Sequence, residues 1–218
     1  MILTIDSCRK NAARNRLHSD LGRFCRFRKV IGIPKAGSGA ESTIWKVTTL
    51  DKVLFRNQYL ALIERNGYTF SREVRCDGIL VSILPFRASS NEMEFLARLE
   101  VCPAHGPDLE RCSITGGVEP EKSIEESARQ ELLEEAGYQV GVDDLINLGQ
   151  VHPSKSADTI VHLFAVNVTG IPQFTASGDG TRFEANASVE WLDYDQSIQI
   201  ADSLFVTAIT RLIRLKRR

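Results

Sequence analysis

Glu131, Glu134 and Glu135 fall at i, i+3 and i+4, so on a helix their carboxylates gather on one side. Two unit charges about 5 Å apart near a protein surface repel by roughly 3 kcal/mol at an effective dielectric of 20. Such a face calls for something positive. Hard oxygen ligands next to Gly116-Gly117, whose free carbonyls can also coordinate, suit Mg²⁺ or Mn²⁺. Ions held this way neutralise diphosphate oxygens and activate water. On composition alone a Glu-rich helix is more often a solvated face, and the flanking sequence decides against that reading.

The helix that must carry these residues is the clearest in the chain, over 123–136. Ser123 stands at the N-cap with Glu126 three residues on, the arrangement of a capping box, and Gly137 stands where a left-handed C-cap is expected. Its apolar stripe is Ile124, Ala128, Leu132 and Ala136, with Leu133 alongside. A short apolar stretch, 112–114, runs into the glycines from the N-terminal side. Strand, Gly-Gly loop, capped helix and glycine stop together make a rigid platform for metal-assisted phosphoryl chemistry.

Strands are expected at 44–50, 53–64 and 74–86, punctuated by Asn66-Gly67 and Asp77-Gly78, with the first two paired as a hairpin. Residues 94–101 alternate Phe95, Ala97, Leu99 and Val101 with Glu94, Leu96, Arg98 and Glu100, a half-buried pattern. Arg98 and Glu100 then share the wetter face, and Arg98 counts among the substrate contacts. Further strands are expected at 146–151, 159–168 and 189–192, and a second amphipathic helix over 198–215.

The chain of 218 residues is long enough for one large domain or a core domain with an appendage. Hydrophobic residues make up 43% and charged residues 25%, which excludes whole-chain disorder. The net charge of −1 hides an asymmetry: residues 1–35 hold nine Lys/Arg against two Asp, hence +7, leaving −8 for the rest. A short basic arm of this kind is more often solvated than bound to phosphate or lipid, so it does not make the chain a nucleic-acid binder. Five cysteines, an odd number, point to a reducing cytoplasmic setting, with organellar targeting by the Arg-rich start left open. No run approaches the roughly 20 apolar residues of a membrane span.

The stretch GGVEPEKSIEESARQELLEEAGY at 116–138 resembles the box of the Nudix hydrolases, G-x5-E-x7-R-E-U-x-E-E-x-G-U, with U aliphatic. Gly116, Glu131, Leu132, Glu134, Glu135 and Gly137 match in register. The resemblance implies an α/β/α Nudix sandwich around a mixed β-sheet, preceded by a small N-terminal strand hairpin. It divides the chain into a basic arm at 1–42, a hairpin and possible dimerisation element at 43–70, and the hydrolase domain at 71–218. It also implies that Glu131, Glu134 and Glu135 bind metal together with a carbonyl from Thr115, and that Gly116 and Gly117 border the substrate.

Three positions depart from the box: Lys122 replaces its Glu, Gln130 its Arg and Tyr138 its aliphatic residue. The first two remove a charged pair together. Glu121 and Arg129 keep the same spacing one residue earlier, but that shift turns a side chain by about 100° on a helix. A catalytically weak or inactive Nudix domain that senses a nucleotide is therefore the alternative to an enzyme.

Pro153, 15 residues beyond Tyr138, resembles the proline marker of the branch that hydrolyses ADP-ribose and nucleoside-diphosphate sugars. That branch implies a homodimer and a small nucleoside-diphosphate substrate. Ser154 and Lys155 suit phosphate or ribose contacts, although a plain surface loop explains them as well. Asp158 and Glu184 are the two carboxylates left to orient the attacking water.

Overall fold

The structure is a computed structural model, and it describes residues 51–89, 92–178 and 186–217. The basic arm, the strand expected at 44–50 and Glu184 lie outside the described residues. Among those residues are ten strands: β1 (Lys52–Arg56), β2 (Leu60–Arg65), β3 (Tyr68–Glu73), β4 (Ile79–Ala88), β5 (Met93–Val101), β6 (Leu109–Cys112), β7 (Ile114–Gly117), β8 (Leu145–Val151), β9 (Ile160–Asn167) and β10 (Ser188–Leu192). The helices are α1 (Ile124–Ala136), the single turn α2 (Tyr194–Ser197) and α3 (Ser203–Lys216).

The first three strands form a separate antiparallel sheet in the order β1-β2-β3. The stretch 53–64, expected as one strand, is broken because the Asn57 side chain accepts hydrogen bonds from the Tyr59 and Leu60 amides, at 2.8 and 2.7 Å, and turns the chain there. Asn66-Gly67 then closes the β2-β3 hairpin, and β3 runs on through Glu73, past the boundary drawn at 70. The core of this sheet is small, made of Ala61, Ile63 and Phe70.

The other seven strands form a mixed sheet in the order β10-β5-β4-β9-β8, in which only β4 and β9 run parallel. β4 pairs with β5 only through Phe86–Ala88, then parts from it and pairs with β7 through Leu80–Ile83. β6 fills the gap from the β5 side. This splay places Thr115, Gly116 and Gly117 inside the sheet and beneath α1.

Strand alternation sorts the core into two layers. Phe86, Phe95, Ala97, Leu163 and Ala165 pack with Phe205, Ala208, Ile209 and Leu212 of α3. Val81, Ile83, Leu96, Phe164 and Val166 pack with Ala128, Leu132 and Ala136 of α1. The result is an α/β/α sandwich. β5 is buried on both faces, not half-buried, because it lies inside the sheet with β10 and β4 as neighbours and a core layer on each side. Its even-numbered residues point toward α1, so Arg98 is buried rather than set on a wet face.

α1 forms as its local signals require. Ser123 and Glu126 complete the capping box, and Gly137 takes φ 72°. Tyr138 is buried in the α1 layer, so its ring does the work of the aliphatic residue it replaces. α3 starts at Ser203 and not at 198, because Asp202 caps it by accepting from the Leu204 and Phe205 amides. The residues just before it form α2, which has its own capping box through Asp193 and Gln196.

Leu132 is fully buried while its neighbour Leu133 is 40% exposed. Leu132→Ala is expected to cost about 2–5 kcal/mol and Leu133→Ala well under half of that. Urea denaturation of both variants checks this, and equal costs would mean that a different face of α1 is packed.

Candidate active site

The acidic face of α1 lies over β7. Glu131, Glu134 and Glu135 line one cavity of about 390 Å³ together with Thr115, Gly116, Gly117, Gln130, Glu119 and Cys76. The contact between helix and strand is close: a Cβ built on Gly116 would lie 1.8 Å from Glu131 Oε1. Only glycine leaves room for that carboxylate at the strand.

Neighbouring side chains hold Glu135 and Glu134. Arg98 Nη1 lies 3.1 Å from Glu135 Oε2, and Arg98 Nε donates to Glu100 at 2.7 Å. The Arg98 side chain is 3% exposed and that of Glu135 10%. This guanidinium is the positive charge that the spacing of the glutamates demands. Gln130 Nε2 donates to Glu134 at 2.8 Å, and Gln130 Oε1 accepts from Lys122 Nζ. Lys122 also pairs with Glu119 at 2.8 Å. Arg129 donates to the Val140 carbonyl and so takes no part, as its one-residue displacement implies.

In these positions no group of three His, Cys, Asp or Glu side chains among the described residues is arranged to hold a metal ion. The donor set nonetheless fits a hard cation. Three carboxylates share one cavity with Thr115 and Gly116, and a Mg²⁺-like ion would compete with Arg98 and Gln130 for their oxygens.

A second cavity, of about 900 Å³, shares Thr115 with this one in its lining. Its walls are Leu99, Glu100, Leu109 and Cys112 on one side and Gln199, Ile200 and Leu204 on the other. Asp202 ties the two sides together by accepting from the Ser113 amide and hydroxyl, each at 3.2 Å. Burial and the neighbouring Glu100 and Asp202 push the Cys112 thiol far above the ordinary thiol range, which keeps it protonated.

The other residues singled out in the sequence lie elsewhere. Pro153, Ser154 and Lys155 line neither cavity. Their loop is fastened to β3: Tyr68 Oη donates to the Lys155 carbonyl at 2.7 Å, and the Ser71 amide donates to the Ser156 carbonyl at 2.8 Å. Asp158 pairs with Arg72 at 2.6 Å and also stays outside the cavities. Arg98 reaches the site, but as the partner of Glu135 from beneath. Sequence reasoning missed the role of Arg98, and a charged residue next to Phe95, Leu96 and Ala97 in one strand was the available signal. It also missed Cys76, which packs against Gly117.

Comparison with known proteins fits this geometry. The family model of the NUDIX domain matches residues 86–207, more than half of the chain. No curated protein matches in a sequence comparison. A solved structure described as the crystal structure of an ADP compounds hydrolase superposes with a TM-score of 0.57 at 14% identity, covering 78% of this chain and 94% of that one. At that identity the likeness speaks for the fold.

Removing one partner of a buried ion pair costs about 3–5 kcal/mol. Arg98→Met is therefore expected to lower the melting temperature in EDTA by roughly 6–20 °C, at about 2–4 °C per kcal/mol for a domain of this size. Added Mg²⁺ should recover part of the loss. Differential scanning fluorimetry checks it, and an unchanged melting temperature would mean that Arg98 does not neutralise the acidic face.

Proposed function

The chain belongs to the Nudix hydrolases, and from that premise we propose that it hydrolyses the diphosphate linkage of ADP-ribose or a related nucleotide sugar, giving a nucleoside monophosphate and a sugar phosphate. The observation that carries this reading is the pair of cavities that share Thr115 in their linings. One is lined by carboxylates, and the other is large and walled in part by apolar side chains. A diphosphate at the first and a nucleoside in the second use both.

Glu131, Glu134 and Glu135, with the Thr115 carbonyl, are the proposed ligands of Mg²⁺ or Mn²⁺. When bound, the ion supplies neutralisation of the diphosphate oxygens and activation of water. The chain's own groups do the rest. Gly116 lets Glu131 lie against the strand, Arg98 fixes Glu135 from below, and Gln130 fixes Glu134 from the side. Water adds to one phosphorus, the bridging P–O bond breaks, and the departing phosphate keeps the bridging oxygen. The group that orients this water is proposed to be Glu184 ahead of Asp158, because Asp158 is engaged with Arg72 and away from the cavities.

Turnover of a panel of diphosphate-linked sugars, dinucleotides and nucleoside triphosphates, with and without Mg²⁺, tests the reading. ADP-ribose-like compounds are expected to be the better substrates, and Glu135→Gln should lower turnover on the order of a hundredfold. A triphosphate tenfold better than every diphosphate sugar would overturn the substrate class. No turnover at all, with a nucleotide still bound, would favour the sensor alternative.

We also propose a homodimer through the small sheet. Phe55, Leu60 and Leu62 are exposed together on the face opposite the buried Ala61, Ile63 and Phe70, an unusual concentration of apolar surface for a free face. Sedimentation equilibrium is expected to give twice the chain mass, and Phe55→Glu should shift it toward monomer. A parent protein that stays monomeric at micromolar concentration would sink this proposal.

A further inference from the structure

Two of the three departures from the Nudix box touch each other. The side chain of Gln130 stands between Lys122 and Glu134, with its carbonyl oxygen toward the ammonium and its amide nitrogen toward the carboxylate. An ammonium can only donate and a carboxylate can only accept. Lys122 and Glu134 thus dictate which way the amide faces. The other end of the chain is anchored by the Glu119 carboxylate on Lys122. We infer that Lys122 and Gln130 are positioning residues, a relay that presents the Glu134 carboxylate to the metal in place of the ion pair that the box pattern puts at the same two positions. This rests on the reading of Glu134 as a metal ligand.

The relay explains why both positions differ together. With glutamate at 122 and Gln130 kept, the amide nitrogen would turn to the new carboxylate, and its carbonyl oxygen would be left facing Glu134, acceptor against acceptor. With arginine at 130 and Lys122 kept, two cations would stand side by side. Each single change breaks the chain, and the double change restores a self-consistent pair of opposite charges.

Simple electrostatics gives the opposite sign. Removing the Lys122 charge, or reversing it, makes the acidic face more negative and should tighten Mg²⁺ binding. The relay requires that it weaken. Lys122 is one-third exposed, so its replacement leaves the core packing alone.

Isothermal titration of the full chain with Mg²⁺ alone, without nucleotide, separates the two. Lys122→Met and Gln130→Met are each expected to raise the dissociation constant about tenfold, the lower end of what loss of a group supporting a metal ligand costs. Lys122→Glu should raise it further, Lys122→Arg should stay within about twofold of the parent, and Lys122→Glu with Gln130→Arg should return to about the parent value. Melting of the metal-free variants should move by no more than about 2 °C, as for ordinary surface changes. Equal or tighter Mg²⁺ binding by Lys122→Met overturns the relay. A parent that binds no Mg²⁺ overturns the metal reading and the relay with it. If this pattern of affinities holds but no diphosphate substrate is turned over, the relay stands and the proposed reaction fails.

Discussion

Mutual repulsion among the three glutamates on one face of α1 is the constraint to which the rest of the site answers. They stand at the border of a packed core, where water screens poorly, so the fold has to bring compensating groups to them. Arg98 does so from the strand below and Gln130 from the helix itself. The two compensations differ in kind. A guanidinium adds a full charge, which bulk solvent would otherwise have to offset. An amide adds only a dipole, and its direction has to be fixed by a neighbour. A further partner, the backbone at Gly116, gives no charge but lets Glu131 lie flat against β7. Order in the acidic face is thus built from three different interactions, and no one of them crosses the whole site.

How much of this could be read from the sequence depended on range. α1 was readable in full, since its N-cap, capping box and C-cap are decided by residues within four positions of one another. The start of α3 was not placed at Ser203, although Asp202 offered a capping signal. The apolar residues Ile198 and Ile200 continue a helical pattern that α2 and its following turn interrupt. Arg98 failed for a different reason. Alternation along a strand reports burial only when one face of the sheet meets water, and β5 has a core layer on each face. Whether a strand is central depends on pairings with β4 and β10, which lie far away in sequence.

The candidate site divides along the same line. The three glutamates and the glycines beside them came from spacing within a single motif, and the structure brings them to one cavity. The contacts drawn from the loop at 153–155 required knowing where that loop lies in space, and it is bound to the small sheet through Tyr68 and Ser71. The mismatch at Lys122 and Gln130, which the sequence marks as the joint loss of a charged pair, proves to be a hydrogen-bonded pair of its own once the side chains are seen to touch.

The splay of β4 away from β5 has an evolutionary consequence. β7 takes its register from β4, whereas β6 takes its register from β5, and the two short strands meet only at Ser113. The segment between β5 and β6, at 102–108, can therefore lengthen, shorten or change composition without shifting Thr115 or Gly116 relative to α1. Such changes would remodel the wall of the larger cavity and leave the acidic one in place. A fold wired this way can drift from one ligand to another by editing a loop, while the part that would do the chemistry is inherited unaltered.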